Sequence, residues 1–182
     1  MLLYTDAITN DELISDAYDL KEVDDVVYEA DCAMITIKEG EVNIGANASA
    51  EEAEEALEEG EQRVNNVVHS FRLTETSFDK KSYMTYLKGY MKAVKAHLQE
   101  SNPDRIPAFE KGAAGFAKKV LGSFGDWQFF TGESMNPDGM VALMNYREDG
   151  VTPYMVFVRF HSLTFSLTAS LTLPAAHSGR TA

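Results

Sequence analysis

The chain has 182 residues, 45% apolar and 10% aromatic, enough to bury roughly 70% of its unfolded surface around one core, which excludes a wholly disordered chain. Twenty-nine acids against 16 bases leave a formal net charge of −13, so phosphate backbones and anionic membranes are poor partners for the molecule as a whole. A single cysteine, Cys32, excludes an internal disulfide, and the opening MLLYTDAITNDE has neither a basic nor an apolar leader segment, so the expectation is a cytoplasmic protein.

Along the chain, short runs of β-branched and aromatic residues predict strands at Leu2–Thr5, Val26–Glu29 and Ala33–Lys38. Residues 39–64 then carry nine Glu and one Arg with few large apolar side chains. Self-repulsion favours a mobile acidic loop there, and a local helix over AEEAEEALEEG is the alternative, since Ala, Glu and Leu are good helix formers. A further strand is predicted at Val67–Thr74.

Residues 79–121 reverse the sign, with nine Lys or Arg against four acids; this segment is +5 and the remainder −18. Tyr83, Leu87, Tyr90, Val94 and Leu98 step by four, three, four and four, which is one face of a helix that Ser77 or Asp79 can cap. Phe109, Ala113, Phe116 and Val120 repeat the stepping after SNPDRIP, whose two prolines end the first helix. The expectation is a basic two-helix hairpin. Gly112 and Gly115 weaken the second helix by roughly 1 kcal/mol each relative to Ala, a cost that close packing against a neighbour would explain.

Strands follow at Gln128–Thr131, Met140–Tyr146 and Tyr154–Val158, separated by the turns Asn136-Pro-Asp-Gly139 and Glu148-Asp-Gly150, whose glycines suit positive φ. From Leu163 to Leu173 apolar residues alternate with Ser and Thr, the pattern of a half-buried strand. The uncharged stretch from Phe160 to Gly179 is too rich in Ser and Thr for a lipid-facing helix, so no membrane span is expected. The fold class is α+β, a mainly antiparallel sheet interrupted by the hairpin.

No common enzyme signature is present: GxGxxG, GxxxxGK[ST], HExxH, CxxC and GxSxG are all missing. None of the four histidines, His69, His97, His161 and His177, lies within four residues of another, which disfavours a local His-based metal or Cys–His site. Acid pairs at Asp24/Asp25 and Glu133/Asp138 and the run Glu51–Glu61 are candidates for Ca²⁺, although none has EF-hand spacing and a solvated acidic face is the simpler reading. The expectation is therefore no enzyme and no cofactor beyond weak Ca²⁺. On the hairpin, Lys88, Lys92 and Lys95 offer a basic face to acidic partners, or are merely the polar side of an amphipathic helix.

Two stretches carry a resemblance. Ile44-Gly-Ala-Asn-Ala-Ser-Ala-Glu51, with Gly45, Asn47, Ser49 and Glu51, resembles one signature of the translationally controlled tumour protein family. Phe124-Gly-Asp-Trp-Gln-Phe-Phe-Thr-Gly-Glu133 through Asp138-Gly-Met-Val-Ala142 to Tyr146 resembles the second, with Phe129, Phe130, Gly132, Glu133, Asp138 and Gly139 in register. The similarity runs over about residues 1–158, a single domain comprising the 39–64 loop and the 79–121 hairpin. Residues 159–182 depart from it as an atypical extension, either a genuine strand or an artefact of gene assignment.

The resemblance implies a β-tent fold, similar to that of Rab-associated exchange-factor-like chaperones. It implies a non-enzymatic, cytoplasmic and partly cytoskeleton-associated protein that works with ribosomes and translation elongation factors, stabilises microtubules and binds Ca²⁺, with no direct nucleic-acid contact. The alternative it implies is regulation of nucleotide exchange on a Ras-like small GTPase or elongation factor. Glu12, in Asn10-Asp-Glu-Leu13, matches the acidic residue of that contact. A purely local role for Asp11 or Glu12, capping the following segment, is the competing reading. Within the second signature, Phe129 and Phe130 are expected on opposite sheet faces, and Gly132, Gly139, Asn136 and Asp138 in turns.

Overall fold

The computed structural model describes residues 2–38 and 61–159, together with the backbone of two short strands at 41–42 and 163–164. Its centre is a six-stranded antiparallel sheet made from β3 (Leu20–Val23), β4 (Val27–Asp31), β8 (Thr74–Thr76), β9 (Gln128–Thr131), β10 (Val141–Tyr146) and β11 (Pro153–Val158), in the order β3-β4-β11-β10-β9-β8. All six residues of β11 and the first four of β10 are buried. Continuous apolar runs such as VALM and YMVFV suit strands covered on both faces, where alternation would expose one of them.

A smaller sheet has the order β12-β1-β2, with β1 at Leu3–Thr5, β2 at Glu12–Ser15 and β12 at Leu163–Thr164. The strand expected over Leu163–Leu173 is thus represented by one short pairing, Tyr4 opposite Leu163, and the rest of it lies outside the described residues. A third sheet, β6-β5-β7, uses β5 (Met34–Lys38), β6 (Glu41–Val42) and β7 (Glu61–Asn65). Both ends of the 39–64 segment are therefore paired as strands. The intervening acidic stretch, with Gly45, Asn47, Ser49 and Glu51, lies outside the described residues.

The basic segment folds as α2 (Lys80–Ser101) and α3 (Ile106–Gly122). Asp79 is the cap: its Oδ1 accepts from the backbone N–H of Lys81 and of Ser82, each at 2.8 Å. These bonds and the one from the Ser82 hydroxyl hold the Asp79 carboxyl below the usual carboxylate range. Pro103 opens a 3-10 turn and Pro107 sits in the first turn of α3, positions where the missing N–H has no helical acceptor. The buried faces are the expected ones, Tyr83, Leu87, Tyr90, Val94 and Leu98 on α2 and Phe109, Ala113, Phe116 and Val120 on α3.

Three expectations are corrected. Val67–Thr74 is not one strand but the short helix α1 (Asn66–Ser70) followed by β8. The Asn65 side chain accepts from Val67 N at 2.9 Å and Val68 N at 3.3 Å, so a cap overrides the β-preference of two valines. Gly139 does not adopt positive φ; among the described glycines only Gly150 does, at 71°, and in the Gly132–Gly139 loop it is Met135 that sits at 50°. Gly112 is closely packed, since a Cβ there would lie 2.6 Å from the Asp24 carbonyl oxygen, whereas nothing lies within 4 Å of the same position on Gly115.

Candidate functional site

Two surfaces hold the residues singled out from the sequence. The first is the outer side of the hairpin. Its inner side is fixed by hydroxyls that a helix-facing aromatic can extend into the sheet: Tyr86 donates to the Gly139 carbonyl and accepts from Val141 N, both at 2.8 Å. One turn later, Tyr90 donates to Asp6 Oδ1 at 3.0 Å. The aromatic rings of Phe78, Tyr83, Phe124 and Phe129 close around this junction with centroids 5.1–5.8 Å apart. Burial pushes the phenols of Tyr83, Tyr86 and Tyr90 well above their ordinary value.

With that side locked, the opposite flank of α2 is left for solvent. Lys88 and Lys92 are exposed and have no carboxylate partner among the described residues, while Lys95 is paired with Glu110 across the hairpin. All three lysines line a groove of about 450 Å³ between α2 and α3, whose apolar wall includes Met84, Leu87, Met91, Ala113 and Ala117. Sequence reasoning found the lysines but missed the groove. Its signal was a second apolar step, Met84 to Met91, offset from the core stripe on the same helix.

The second surface is at β2. Glu12 is the exposed first residue of that strand, opposite Thr5 where the register with β1 shifts. Contrary to the local reading, neither acid caps the segment that follows: the Asp11 carboxylate instead reaches across to the 132–139 loop, accepting from Ser134 Oγ at 2.6 Å and from Ser134 N at 3.3 Å. The Glu12 side chain has no hydrogen bond or ion pair among the described residues. The Asp11 contact explains Gly132, where a Cβ would lie 2.4 Å from Asp11 Oδ2. Asp6, which the sequence did not single out, is 1% exposed and ties the same loops together by accepting from Thr9 N, Thr9 Oγ1 and Met140 N. Glu12 is not among the residues lining the hairpin groove.

The remaining signature residues have structural surroundings. Phe129 and Phe130 are each 5% exposed, so both sheet faces are covered at β9. Asn136 Oδ1 accepts from Asp138 N at 3.0 Å, Asp138 and Tyr146 are exposed, and Glu133 is paired with Arg72 at 2.8 Å. Asp24 and Asp25 form the β3–β4 turn with φ of 53° and 59°, and Asp25 lies 3.6 Å from Arg159. Among the described residues no three His, Cys, Asp or Glu side chains converge as metal ligands, and most of the Glu51–Glu61 run lies outside them. The Cys32 thiol is pushed up to about 11 by burial, which leaves it a poor nucleophile. No helix among the described residues is long and apolar enough to cross a membrane.

Comparison with known proteins agrees with this architecture. The family model described as translationally controlled tumour protein matches residues 1–163. The chain belongs to the translationally controlled tumour protein family. A homologue from Schizosaccharomyces pombe is 69% identical over 160 residues, covering 87% of this chain and 95% of its own. One from Mycosarcoma maydis is 71% identical over 157 residues, covering 86% and 94%. Among solved structures, the translationally controlled tumor-associated protein of Schizosaccharomyces pombe superimposes with a TM-score of 0.72 at 70% identity, covering 86% of this chain and 94% of that one. The solution structure of the family member from Caenorhabditis elegans gives 0.66 at 33% identity, covering 88% and 95%. The α+β class, with its mainly antiparallel sheet, is shared with these structures.

Proposed function

We propose that this chain is a non-enzymatic interaction protein of protein synthesis and the microtubule system, docking acidic surfaces of elongation factors, ribosomes and tubulin through the basic flank of α2. The observation that supports this reading is the pair Lys88 and Lys92, exposed and without a carboxylate partner among the described residues, on a chain whose net charge is −13. On the sheet, by contrast, cations are engaged by acids: Arg147 with Glu29 and Asp31, Lys21 with Asp31, and Arg159, just after β11, with Glu22. A charge left free costs no desolvation until a partner arrives, and it steers association at low salt. The test is capture from cell lysate, at low and moderate salt, by the intact chain and by a Lys88→Glu/Lys92→Glu/Lys95→Glu variant. Elongation factors, ribosomes or tubulin are expected with the intact chain and lost with the variant; capture that ignores the charge reversal refutes the hairpin as the docking surface.

A second reading, regulation of nucleotide exchange on a Ras-like GTPase, draws on Glu12. Exposed at the start of β2 and without a side-chain partner among the described residues, the Glu12 carboxylate is left to displace a Mg²⁺ or meet a basic side chain of a partner. Glu12→Ala is expected to slow exchange on a purified GTPase with thermal stability unchanged; an equal exchange rate removes Glu12 from any such mechanism.

A further inference from the structure

The groove above the hairpin says more about the partner than its charge. Its α2 wall runs from Met84 to Lys95 and its α3 wall from Glu110 to Leu121, about 16 Å or three helical turns on each side at 1.5 Å per residue. The helices are antiparallel, and the Lys95–Glu110 ion pair closes one end. Between the walls, Ala113, Ala114 and Ala117 give α3 a low profile, while Met84 and Met91 supply long, adaptable side chains opposite them.

Cations line this apolar trough on its α2 side, and two more stand on α3 outside its lining. Lys88 and Lys92 stand on the α2 wall. On α3, Lys111 and Lys118, three residues before and four after Ala114, are exposed and, like the α2 pair, have no carboxylate partner among the described residues. The one acid lining the groove, Glu110, is already engaged by Lys95.

We infer that the groove between α2 and α3 seats a helix of a partner protein, about three turns long, that presents an apolar stripe flanked by Asp or Glu. A trough with small residues on one wall lets a helix backbone approach closely, and an i, i+3/i+4, i+7 stripe matches its length, the helix-in-groove mode of recognition. Charge complementarity chooses this occupant over the others. A second copy laid face to face would set Lys88, Lys92, Lys111 and Lys118 against their own kind. A bilayer surface needs a protruding apolar face, whereas here the apolar side chains line a groove between two helices. The inference deepens the proposed docking role of the basic flank and rests on it.

The probe is a synthetic peptide of about 15 residues, acetylated and amidated, with Leu at i, i+4, i+7 and i+11 and Glu beside them, long enough to become helical on binding. A control of the same composition has its leucines scattered round the helix. The expected result is binding of the facial peptide with a gain in helicity by circular dichroism, at least about tenfold weaker binding of the scrambled peptide, and about a tenfold loss with Ala114→Glu, since an uncompensated charge is placed in the apolar seat. Ala114 is exposed, so this variant is expected to keep the melting temperature of the intact chain. Equal binding of the two peptides, unaffected by Ala114→Glu, overturns the helix seat and leaves the basic-flank reading standing. No binding of either peptide, with lysate capture still lost on charge reversal, overturns the seat alone; if capture is also indifferent to charge reversal, both fall. Vesicles of phosphatidylserine and phosphatidylcholine provide the remaining arm: retention on them that Ala114→Glu abolishes, with no peptide bound, makes the occupant a membrane and overturns the inference.

Discussion

Helix α2 has two sides that do opposite things with polar groups. On the inner side Tyr86 and Tyr90 bring hydroxyls to Gly139, Val141 and Asp6, so both of these phenol oxygens have partners within the fold. On the outer side Lys88 and Lys92 have no carboxylate partner among the described residues and stand over an apolar groove. Buried polar groups must be satisfied within the fold or they cost stability, while exposed charges are cheap and available. The difference separates what holds the hairpin in place from what it can offer to another molecule. Substitutions on the inner side should therefore change stability, and those on the outer side should change binding alone.

The largest effect is expected at Asp6. Its replacement by Ala would leave Tyr90 Oη, Met140 N and both donors of Thr9 without their acceptor in a site 1% exposed. A loss of about 3–5 kcal/mol, read by urea unfolding, is expected for breaking such a buried network. A cost under about 1 kcal/mol would mean that the junction between the 6–11 loop, the 132–139 loop and α2 is not held there.

Next in size is the response to alkali. Burial raises the phenols of Tyr83, Tyr86 and Tyr90 in the folded chain above the ordinary value of 10.0. Folded values above unfolded ones mean that this contribution to stability is fully present below pH 10 and is lost as pH rises past it toward the folded values, because unfolding then releases protons. Unfolding should become easier with each step above pH 10. The slow, cooperative part of the tyrosinate absorbance should appear together with loss of the far-ultraviolet helix signal. Ionisation of all eight tyrosines before the helix signal changes would show that the inner side is open to solvent.

Legibility in the sequence followed the same division. The two helices and their buried faces were readable, because a 3.6-residue period over 22 and 17 residues is a strong, purely local signal. The central strands β9, β10 and β11 were readable from their apolar runs. Strands β2, β3 and β7 were not, since ELIS, LKEV and EQRVN are short and at least half polar, and only their partners across the sheet make them strands. Helix α1 was hidden behind two valines, and its signal was the Asn65 cap preceding them. At the candidate site, the lysines were legible as charge, but the groove depends on how two helices separated by the 102–105 turn pack side by side. That the Asp11 carboxylate bonds Ser134, 123 residues away, instead of capping the segment that follows it, has no counterpart in local spacing.

Smaller effects test the comparison on α3 and at the lysines. The sequence assigned Gly112 and Gly115 one explanation, but the structure separates them. A Cβ at 112 meets the Asp24 carbonyl oxygen at 2.6 Å and the Val26 Cβ at 2.9 Å, backbone and β-carbon atoms that have no rotamer by which to retreat. Gly112→Ala is therefore expected to destabilise by about 1–3 kcal/mol, the cost of overpacking. Gly115 faces open space, so Ala there recovers helix propensity and is expected to stabilise by about 1 kcal/mol. Thermal or urea unfolding of the two variants should move in opposite directions; movement in the same direction would place both residues on one kind of surface. Lys88→Glu with Lys92→Glu closes the series, with a change within about 0.5 kcal/mol expected, as for surface positions outside any network. A larger loss would mean that these lysines hold the fold, and a charge reversal that cost both stability and capture could no longer assign them to a partner.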